Sequence, residues 1–566
     1  MSCERPYLRT HRLLVATAVG AAVIETAVVS VLVPDPPVAM TAQVSAPEPF
    51  GLFHDLRWLL VFHRSWLGFT LGVLALIAFR STLSTWFVVA AWPADVPRPG
   101  WVATQVRVVL ATVVAGAVLT PWAVLLFAAS GVSLSWFFYI AVPITLALAM
   151  LLPAAVVTDA WWRRRPPPRT AGWIALTFVV LTAGGGCLAA TSGALRLLVA
   201  AALGLFNAWA WLGIVHSVAC RERTTRFVPF APAGIVILLG IVVGGTALGF
   251  WLGTRSAREA ARAHVRPPPP GGRPVLVVAG FDSRWDGTPS GRFGPGFREE
   301  RFSYRGLGPT GRPLPYTPVD THRSLPDLVR DMRRQVEAIH RATGKDVAVA
   351  AESEGSLVAK AYVATTPHAP LDGVVLLSPL LAPARVYYPA SGHEGWGVFN
   401  RWVLHNVTAL LGHISNLEVT TDAPFLRSVV DHAPALRRLT RCPVPGVREL
   451  LLAPVADSVV APWPIEMEVP VRVLDSFHGG LLGEGSARGM VRHYLLGRPV
   501  TPGRGSWAAM RIVAAAAAAW QVPVLPLDTN PTWGGQRASP TCASTLRAVR
   551  AWIGPPAAAG TTTGRH

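Results

Sequence analysis

The sequence predicts a multi-pass α-helical membrane domain followed by an α/β domain whose sheet is mostly parallel. Hydrophobic residues make up 51% of the 566 positions and charged residues only 15%, but nearly all the long apolar runs lie before residue 254. After residue 273, short apolar runs alternate with amphipathic ones, which is typical of buried parallel strands separated by helices. A membrane half is therefore followed by a half with the composition of a soluble protein.

Seven apolar runs in the membrane half, residues 1–253, are long enough to cross a bilayer. They are 12–33, 58–79, 102–128, 133–157, 172–192, 195–219 and 230–253. A cleaved signal peptide is an alternative for the first run, although that run is long for such a segment and lacks a small-residue cleavage site before the prolines at 34–37. His63 and Arg64 lie inside the second run, so an interfacial helix could account for part of it.

The distribution of arginine predicts the orientation in the membrane. Arginine-rich segments alternate with neutral or acidic ones, which places the N-terminus in the cytoplasm, and seven spans then place everything after residue 254 outside the cell. The basic segment 254–266 argues the other way, because a miscount of one helix would move the C-terminal domain to the cytoplasm. The basic segments are 1–12, 80–101, 158–171 and 220–229.

Charge and cysteine content exclude several classes of function. The net charge of +19 comes almost wholly from arginine. Coding bias and membrane-flanking charge explain it better than nucleic-acid binding, which would need a basic face with interleaved aromatic residues. The five cysteines show no metal-ligand spacing, so neither a metal nor a cofactor is expected. Cys442 and Cys542 form either a disulfide, as suits an oxidising exterior, or two free thiols. Glu25 in the first span has no obvious partner, so transport is poorly supported.

The soluble half begins after a proline- and glycine-rich linker, residues 254–272. Its domain covers 273–554, with an inserted helical cap at about 381–446, where no strand pattern occurs, and a disordered tail at 555–566. Strands are predicted at 274–281, 301–306, 346–352, 373–380, 447–454 and 471–477, and helices at 325–342 and 482–496.

The stretch 346–363 predicts a catalytic serine. An apolar strand stops at Glu352-Ser353-Glu354-Gly355 and a helix follows at once, which is the layout of a nucleophile elbow. The helix N-terminus would offer free N–H groups where an oxyanion forms. Ala351 stands where the usual G-x-S-x-G pattern has its first glycine. A serine in such a loop can also be only a helix N-cap.

Two further residues follow strands in the order that such a serine needs. Asp457 comes just after the fifth predicted strand and His478 just after the sixth. Because catalytic groups in parallel sheets gather at the carboxyl ends of the strands, these residues are expected to meet Ser353. The chain order is serine, aspartate, histidine. Asp475 is a rival acid, but it lies within the sixth predicted strand.

Residues 273–500 resemble an α/β-hydrolase through three motifs: AESEG at the elbow, ADSVV at the acid turn and FHGG at the histidine loop. The layout of the whole chain is similar to that of actinobacterial membrane-anchored α/β-hydrolases. The membrane half by itself resembles no family.

The resemblance implies a role for each residue of the site. Ser353 would be the nucleophile, His478 the general base and acid, and Asp457 the residue that orients His478. The backbone N–H groups of Glu354 and Phe281 would form the oxyanion hole. No cofactor is implied.

The expected function is that of a membrane-anchored serine hydrolase, esterase- or lipase-like, which cleaves an ester, thioester or amide through an acyl-enzyme on Ser353. The expected partners are the lipid bilayer and a small or lipid-like acyl substrate, with cell-envelope substrates favoured by proximity. An acyltransferase would use the same triad, and a non-catalytic scaffold or transporter with a hydrolase-like binding domain is a third hypothesis. Glu352 and Glu354 are either freely variable positions or acids that disfavour anionic substrates or bind a cationic group.

Overall fold

The structure is a computed structural model with side chains. It describes residues 11–33, 37–157, 167–220, 271–289, 291–415, 419–498, 500, 507–534 and 541–554. The predicted seventh span at 230–253, nearly all of the linker and the tail at 555–566 lie outside the described residues.

Six helices in the described part of the chain are long and apolar enough to cross a membrane. Five of them match predicted spans to within a few residues, and all six lie in the N-terminal half. They are α1 (Arg12–Leu32), α3 (Trp66–Ala90), α4 (Trp101–Val132), α5 (Ser135–Val157), α6 (Pro168–Ala190) and α7 (Gly193–Ala219), and a shorter helix, α2 (Phe50–Val61), precedes α3.

The predicted span at 58–79 is wrong, because the chain breaks there. Helix α2 ends at Val61 and α3 begins at Trp66, after Ser65 caps it by accepting a hydrogen bond from the N–H of Gly68 at 3.1 Å. The polar residues that made this run uncertain lie in the break. His63 accepts the N–H of Phe399 at 3.1 Å, so the break is also a contact with the second half of the chain.

Segment 37–61 packs into the bundle through a buried group of charged residues. Glu25 lies 2.9 Å from the ring of His54, whose neighbour Asp55 accepts from the guanidinium of Arg80 at 2.5 Å. The expectation that Glu25 lacks a partner is therefore wrong, and Arg80 lies inside α3 rather than in a loop. Hydropathy could not reveal these pairs, because their members come from different segments.

The second half contains a six-stranded sheet in which every pair is parallel, in the order β2-β1-β3-β4-β5-β6. The chain leaves β1 toward one edge and returns on its other side as β3. A crevice at the carboxyl ends of β1 and β3 is thus the expected place for a ligand. The strands are β1 (Arg273–Val278), β2 (Phe297–Arg301), β3 (Val347–Glu352), β4 (Leu371–Leu377), β5 (Glu449–Pro454) and β6 (Val471–Leu474).

The predicted position of the second strand is wrong. The second strand runs over Phe297–Arg301 and not over 301–306. It is an edge strand with alternating burial, so its apolar content is low, whereas Phe302 and Tyr304 are buried in the loop that follows it. Burial outside a strand produced the same pattern as a strand.

Helices cover both faces of the sheet, and the interval 381–446 is helical with no strand among its described residues. The helices of this half are α8 (Leu325–Thr343), α9 (Glu354–Thr365), α10 (Val398–Ser415), α11 (Pro424–Asp431), α12 (Ala433–Leu436), α13 (Gly485–Leu495), α14 (Trp507–Ala517) and α15 (Cys542–Ile553).

The sheet domain is joined to one end of the helix bundle. The N–H of Ala384 donates to the carbonyl of Gly131, at the end of α4, at 2.7 Å. The wholly buried guanidinium of Arg57 donates to the carbonyls of Ala519 and Gln521 at 3.0 Å each. One hydrophobic core runs through both halves, which holds the bundle and the sheet in a fixed relation.

A disulfide links Cys442 to Cys542, so the alternative of two free thiols is wrong. It ties the end of the helical interval to α15 across a sequence separation of 100 residues. A loop of that length makes the link a substantial constraint on the unfolded chain.

Candidate active site

Ser353 occupies a strained turn between β3 and α9. Its backbone has φ 53° and ψ −117°, a conformation that a non-glycine residue adopts only when its surroundings enforce it. The N–H of Ser353 donates to the carbonyl of Leu377 at 2.9 Å, which fixes the turn to β4. Although Ser353 is in the N-cap position, its side chain makes no capping hydrogen bond. The hydroxyl is therefore available for another role.

Two glycines allow the turn after β1 to lie against Ser353. A Cβ on Gly280 would be 3.0 Å from the Cβ of Ser353, and a Cβ on Gly355 would be 2.6 Å from the carbonyl oxygen of Ala279. Ala351, in contrast, is a buried strand residue paired with its neighbours in the regular register. The close approaches are needed at 280 and 355, which explains why alanine suffices at 351.

The structure brings the predicted serine, histidine and aspartate into one hydrogen-bonded chain. The Oγ of Ser353 is 3.0 Å from Nε2 of His478, and Nδ1 of His478 is 2.8 Å from Oδ2 of Asp457. His478 is 7% exposed and Asp457 is 1% exposed. The rival acid Asp475 is exposed instead and takes no part in this chain of contacts.

The surroundings of His478 favour its protonated form. Burial alone would lower the pKa of the imidazole, but the charge of Asp457, the hydrogen bond to it and the charge of Glu352 raise the pKa above its ordinary value. A proton taken up at Nε2 is thus stabilised by the acid on the far side of the ring.

Glu354, the residue after the serine, carries a buried carboxyl group. It is 1% exposed, and neither carboxyl oxygen has a hydrogen-bond partner among the described residues. Burial raises its pKa well above the ordinary value, which favours the protonated form. A charged carboxylate there would oppose a nearby oxyanion, whereas the protonated form would not. Because its carboxyl group is buried, Glu354 does not fit the hypothesis that the two flanking acids present negative charge to a substrate.

Glu352 is tied to the histidine loop. Its Oε1 accepts the N–H of Leu481 at 2.5 Å, and burial raises its pKa. Leu481 lies three residues after His478, so Glu352 helps to hold the loop that carries the histidine at the edge of the sheet.

The two residues predicted to supply the oxyanion hole directly follow Ser353 and Gly280, which lie close together. Glu354 is the first residue of α9, where an N–H has no acceptor within its own helix. Phe281 lies in the turn after β1, and its ring stacks on His322 with centroids 4.5 Å apart. The next N–H, that of Asp282, donates to the hydroxyl of Thr321 at 3.0 Å. This turn is therefore held from the outside by residues that precede α8.

The sequence missed a contribution from the membrane half. The hydroxyl of Ser135, at the start of α5, donates to Oδ1 of Asp457 at 2.8 Å. The indole N–H of Trp136 donates to the carbonyl of His478 at 3.1 Å. Nothing in an apolar run signals such contacts, and 322 positions separate Ser135 from Asp457.

A grouping of possible metal ligands among the described residues consists of Cys442, Glu468 and Cys542. Both sulfurs are used in the disulfide, so this grouping does not fit a metal ion.

Comparison of the chain with protein-family models, with curated proteins and with solved structures finds no match in any of the three. The function is therefore inferred from the geometry of the site.

Proposed function

We propose that the protein is a membrane-anchored serine hydrolase that cleaves an ester, thioester or amide through an acyl-enzyme on Ser353. The observation that carries the proposal is the continuous chain from Ser353 Oγ through His478 to Asp457, with separations of 3.0 and 2.8 Å. A serine hydroxyl is a weak nucleophile unless a base removes its proton and an acid orients that base. These contacts supply both.

The reaction follows from the positions of the protons. His478 Nε2 takes the proton of the Ser353 hydroxyl while Oγ bonds to the substrate carbonyl carbon. The oxyanion that forms accepts hydrogen bonds from the N–H groups of Glu354 and Phe281. The intermediate then expels the alcohol, thiol or amine, which receives the proton from Nε2. Water attacks the acyl-enzyme with His478 again as base, which releases the acid and restores the serine.

An α/β-hydrolase type of fold agrees with this assignment. The serine follows β3, the acid follows β5 and the histidine follows β6, so all three lie at carboxyl ends of parallel strands. The helical interval 381–446 joins β4 to β5 on the same edge, as a cap over the site would. The same triad would serve an acyltransferase if an alcohol replaced water in the second step. The non-catalytic alternative leaves the strain at Ser353 and the buried acid without a purpose.

The extracytoplasmic side is the proposed location of the catalytic domain. That domain contacts the bundle end formed by the C-termini of α4 and α6 and the N-terminus of α5. In the sequence, the arginine-rich segments adjoin the opposite ends of the described helices, and this alternation does not depend on a seventh span. The disulfide is also typical of an oxidising compartment. The arginines are Arg12, Arg98, Arg163, Arg164, Arg165, Arg169, Arg221, Arg223 and Arg226.

Cysteine labelling of intact cells tests this topology. In a Cys187→Ser background, which removes the free thiol found among the described residues, Ser391→Cys reports on the catalytic side and Arg98→Cys on the opposite side, both at exposed positions. A membrane-impermeant maleimide is expected to label the former in intact cells and the latter only after lysis. The reverse pattern would place the catalytic domain in the cytoplasm.

The substrate class follows only from proximity. A catalytic domain fixed to the end of a membrane bundle meets lipids and envelope components at high local concentration, which favours an acyl group on a lipid-like or envelope molecule. Lipase- or esterase-like activity on acyl esters is the first assay that this suggests.

A fluorophosphonate probe tests the proposed chemistry directly. The full chain in membranes is expected to be labelled, and Ser353→Ala is expected to abolish labelling, because phosphonylation needs the activated hydroxyl. Ser486→Ala, at an exposed position on α13, is the matched control and is expected to be labelled like the wild type. Wild type that resists the probe, or labelling that survives in Ser353→Ala, would remove the basis of the proposal.

A further inference from the structure

The tip of the membrane hairpin formed by α4 and α5, residues 131–139, lies against three strand-end loops at once. Ala384 after β4 contacts Gly131, Asp457 after β5 contacts Ser135, and the carbonyl of His478 after β6 accepts the indole N–H of Trp136. Two of these loops carry the acid and the histidine. The hairpin tip is thus placed where it can influence both.

The two oxygens of Asp457 have different partners. Oδ2 accepts from His478 at 2.8 Å, and Oδ1 accepts from the hydroxyl of Ser135 at 2.8 Å. Ser135 is 0% exposed, so water does not replace its hydroxyl. A carboxylate held at both oxygens cannot rotate about its Cβ–Cγ bond without breaking a hydrogen bond to a charged group.

We propose that Ser135 is a positioning residue for the catalytic acid, so that the membrane domain completes the active site instead of merely anchoring it. The proposal rests on the proposed serine-hydrolase function. Ser135 does not touch the substrate. It acts through Asp457, which it holds in the orientation that directs Oδ2 at the imidazole.

Two further residues of α5 contact the same loops, Trp136 the histidine loop and Tyr139 the acid loop. The ring of Trp136 stacks on that of Phe477 with centroids 4.9 Å apart, and its N–H binds the His478 carbonyl. The hydroxyl of Tyr139 donates to the carbonyl of Ala456 at 3.2 Å. The first turn of α5 therefore binds the backbone of both loops and the side chain of the acid.

A purely structural role for this contact predicts something different. If the hairpin tip only docked the two halves, loss of one hydroxyl would lower stability but leave the active enzyme with an unchanged dependence on pH. If Ser135 orients the acid, its loss weakens the interaction that raises the pKa of His478. The pH at which activity falls would then move down.

The test uses the full chain in membranes and measures the rate of fluorophosphonate labelling from pH 5 to pH 9. Ser135→Ala is expected to lower the rate about 10- to 100-fold, the effect of one hydrogen bond to a charged group. Its acid-side inflection is expected to lie below that of the wild type. Ser135→Cys, which nearly keeps the volume and offers a weak donor, is expected to fall between the two.

Thr182→Val is the matched interface control. It removes a hydroxyl of α6 that accepts the indole N–H of Trp520 at 2.8 Å, a contact between the two halves that involves neither the acid loop nor the histidine loop, and it is expected to change the rate by no more than about twofold. Melting temperatures of all variants show whether each is folded at the assay temperature. If Ser135→Ala is not folded at the assay temperature, the inflection of Ser135→Cys decides whether Ser135 orients the acid.

The outcomes separate the two proposals. A wild type that does not react would remove the hydrolase function and this inference with it. A reactive wild type accompanied by a Ser135→Ala variant with the same rate and the same inflection would overturn only the role of Ser135. Equal losses of rate in Ser135→Ala and Thr182→Val, without a shifted inflection, would show that the contact of Ser135 only joins the two halves.

Discussion

Replacing His478 by alanine is expected to lower the rate of acyl-enzyme formation by about 10⁴-fold or more, since the serine loses its base. The imidazole is the one side chain that joins Ser353 to the buried acid, through contacts of 3.0 and 2.8 Å. Ser353→Ala, His478→Ala and the double variant should leave the same residual rate, because residues that act as a unit are not additive. The measurement is hydrolysis of a chromogenic acyl ester by the purified full chain. A double variant whose loss of rate equals the product of the two single losses would contradict a single catalytic unit.

The pH dependence of activity is expected to reflect the raised pKa of His478. The base works when neutral, and the charge of Asp457 raises its pKa above the ordinary value of about 6.5. Activity is therefore expected to be full at alkaline pH and to fall as the pH drops through an inflection above 6.5. Asp457→Asn should both lower that inflection and reduce the rate by about 10⁴-fold. An inflection that is the same in Asp457→Asn would show that Asp457 does not raise the pKa of His478.

Replacing Lys360 by methionine is expected to lower the free energy of unfolding by about 3–5 kcal/mol, because it leaves a buried carboxylate without its partner. Lys360 on α9 is 0% exposed, and its Nζ lies 2.6 and 2.7 Å from the two oxygens of Glu449 at the start of β5. The pair joins the helix that begins beside the serine to the strand that ends at the acid. Denaturant unfolding of the full chain, followed by intrinsic fluorescence, measures the loss.

Two controls isolate the cause. The double variant Lys360→Met/Glu449→Leu removes both charges and is expected to recover most of the stability, since no ion is then left buried. Arg448→Met breaks the half-exposed contact of Arg448 with Asp372 at 2.9 Å, and solvent screening limits its cost to less than about 1 kcal/mol. If Arg448→Met and Lys360→Met lower the free energy of unfolding by the same amount, burial is not what makes the Lys360 pair important.

The sequence was most informative where the structure depends on short local patterns. Ser353, Asp457 and His478 each follow an apolar strand, and the parallel topology alone brings such positions together. It was least informative where distant segments meet. At the break between α2 and α3, His63 accepts the N–H of Phe399, and Ser135 binds Asp457 across 322 positions.

The prediction of the edge strand β2 was wrong for a different reason. An edge strand needs few apolar residues, so the pattern favoured the buried aromatic residues of the loop after it. The helical pattern of α8 and the buried strands β3 and β4 were predicted to within three residues, because there burial and periodicity agree.

The contacts of Arg57 impose an order on biosynthesis. Its guanidinium is wholly buried and binds the carbonyls of Ala519 and Gln521, the former 462 positions later in the chain. When the first helices leave the ribosome, that charge has none of these acceptors and must stay hydrated. Final burial of this guanidinium therefore waits until almost the whole polypeptide has been made, and a chain cut short before residue 519 would leave it with only the acceptors of its own segment, Gln43 and Phe53.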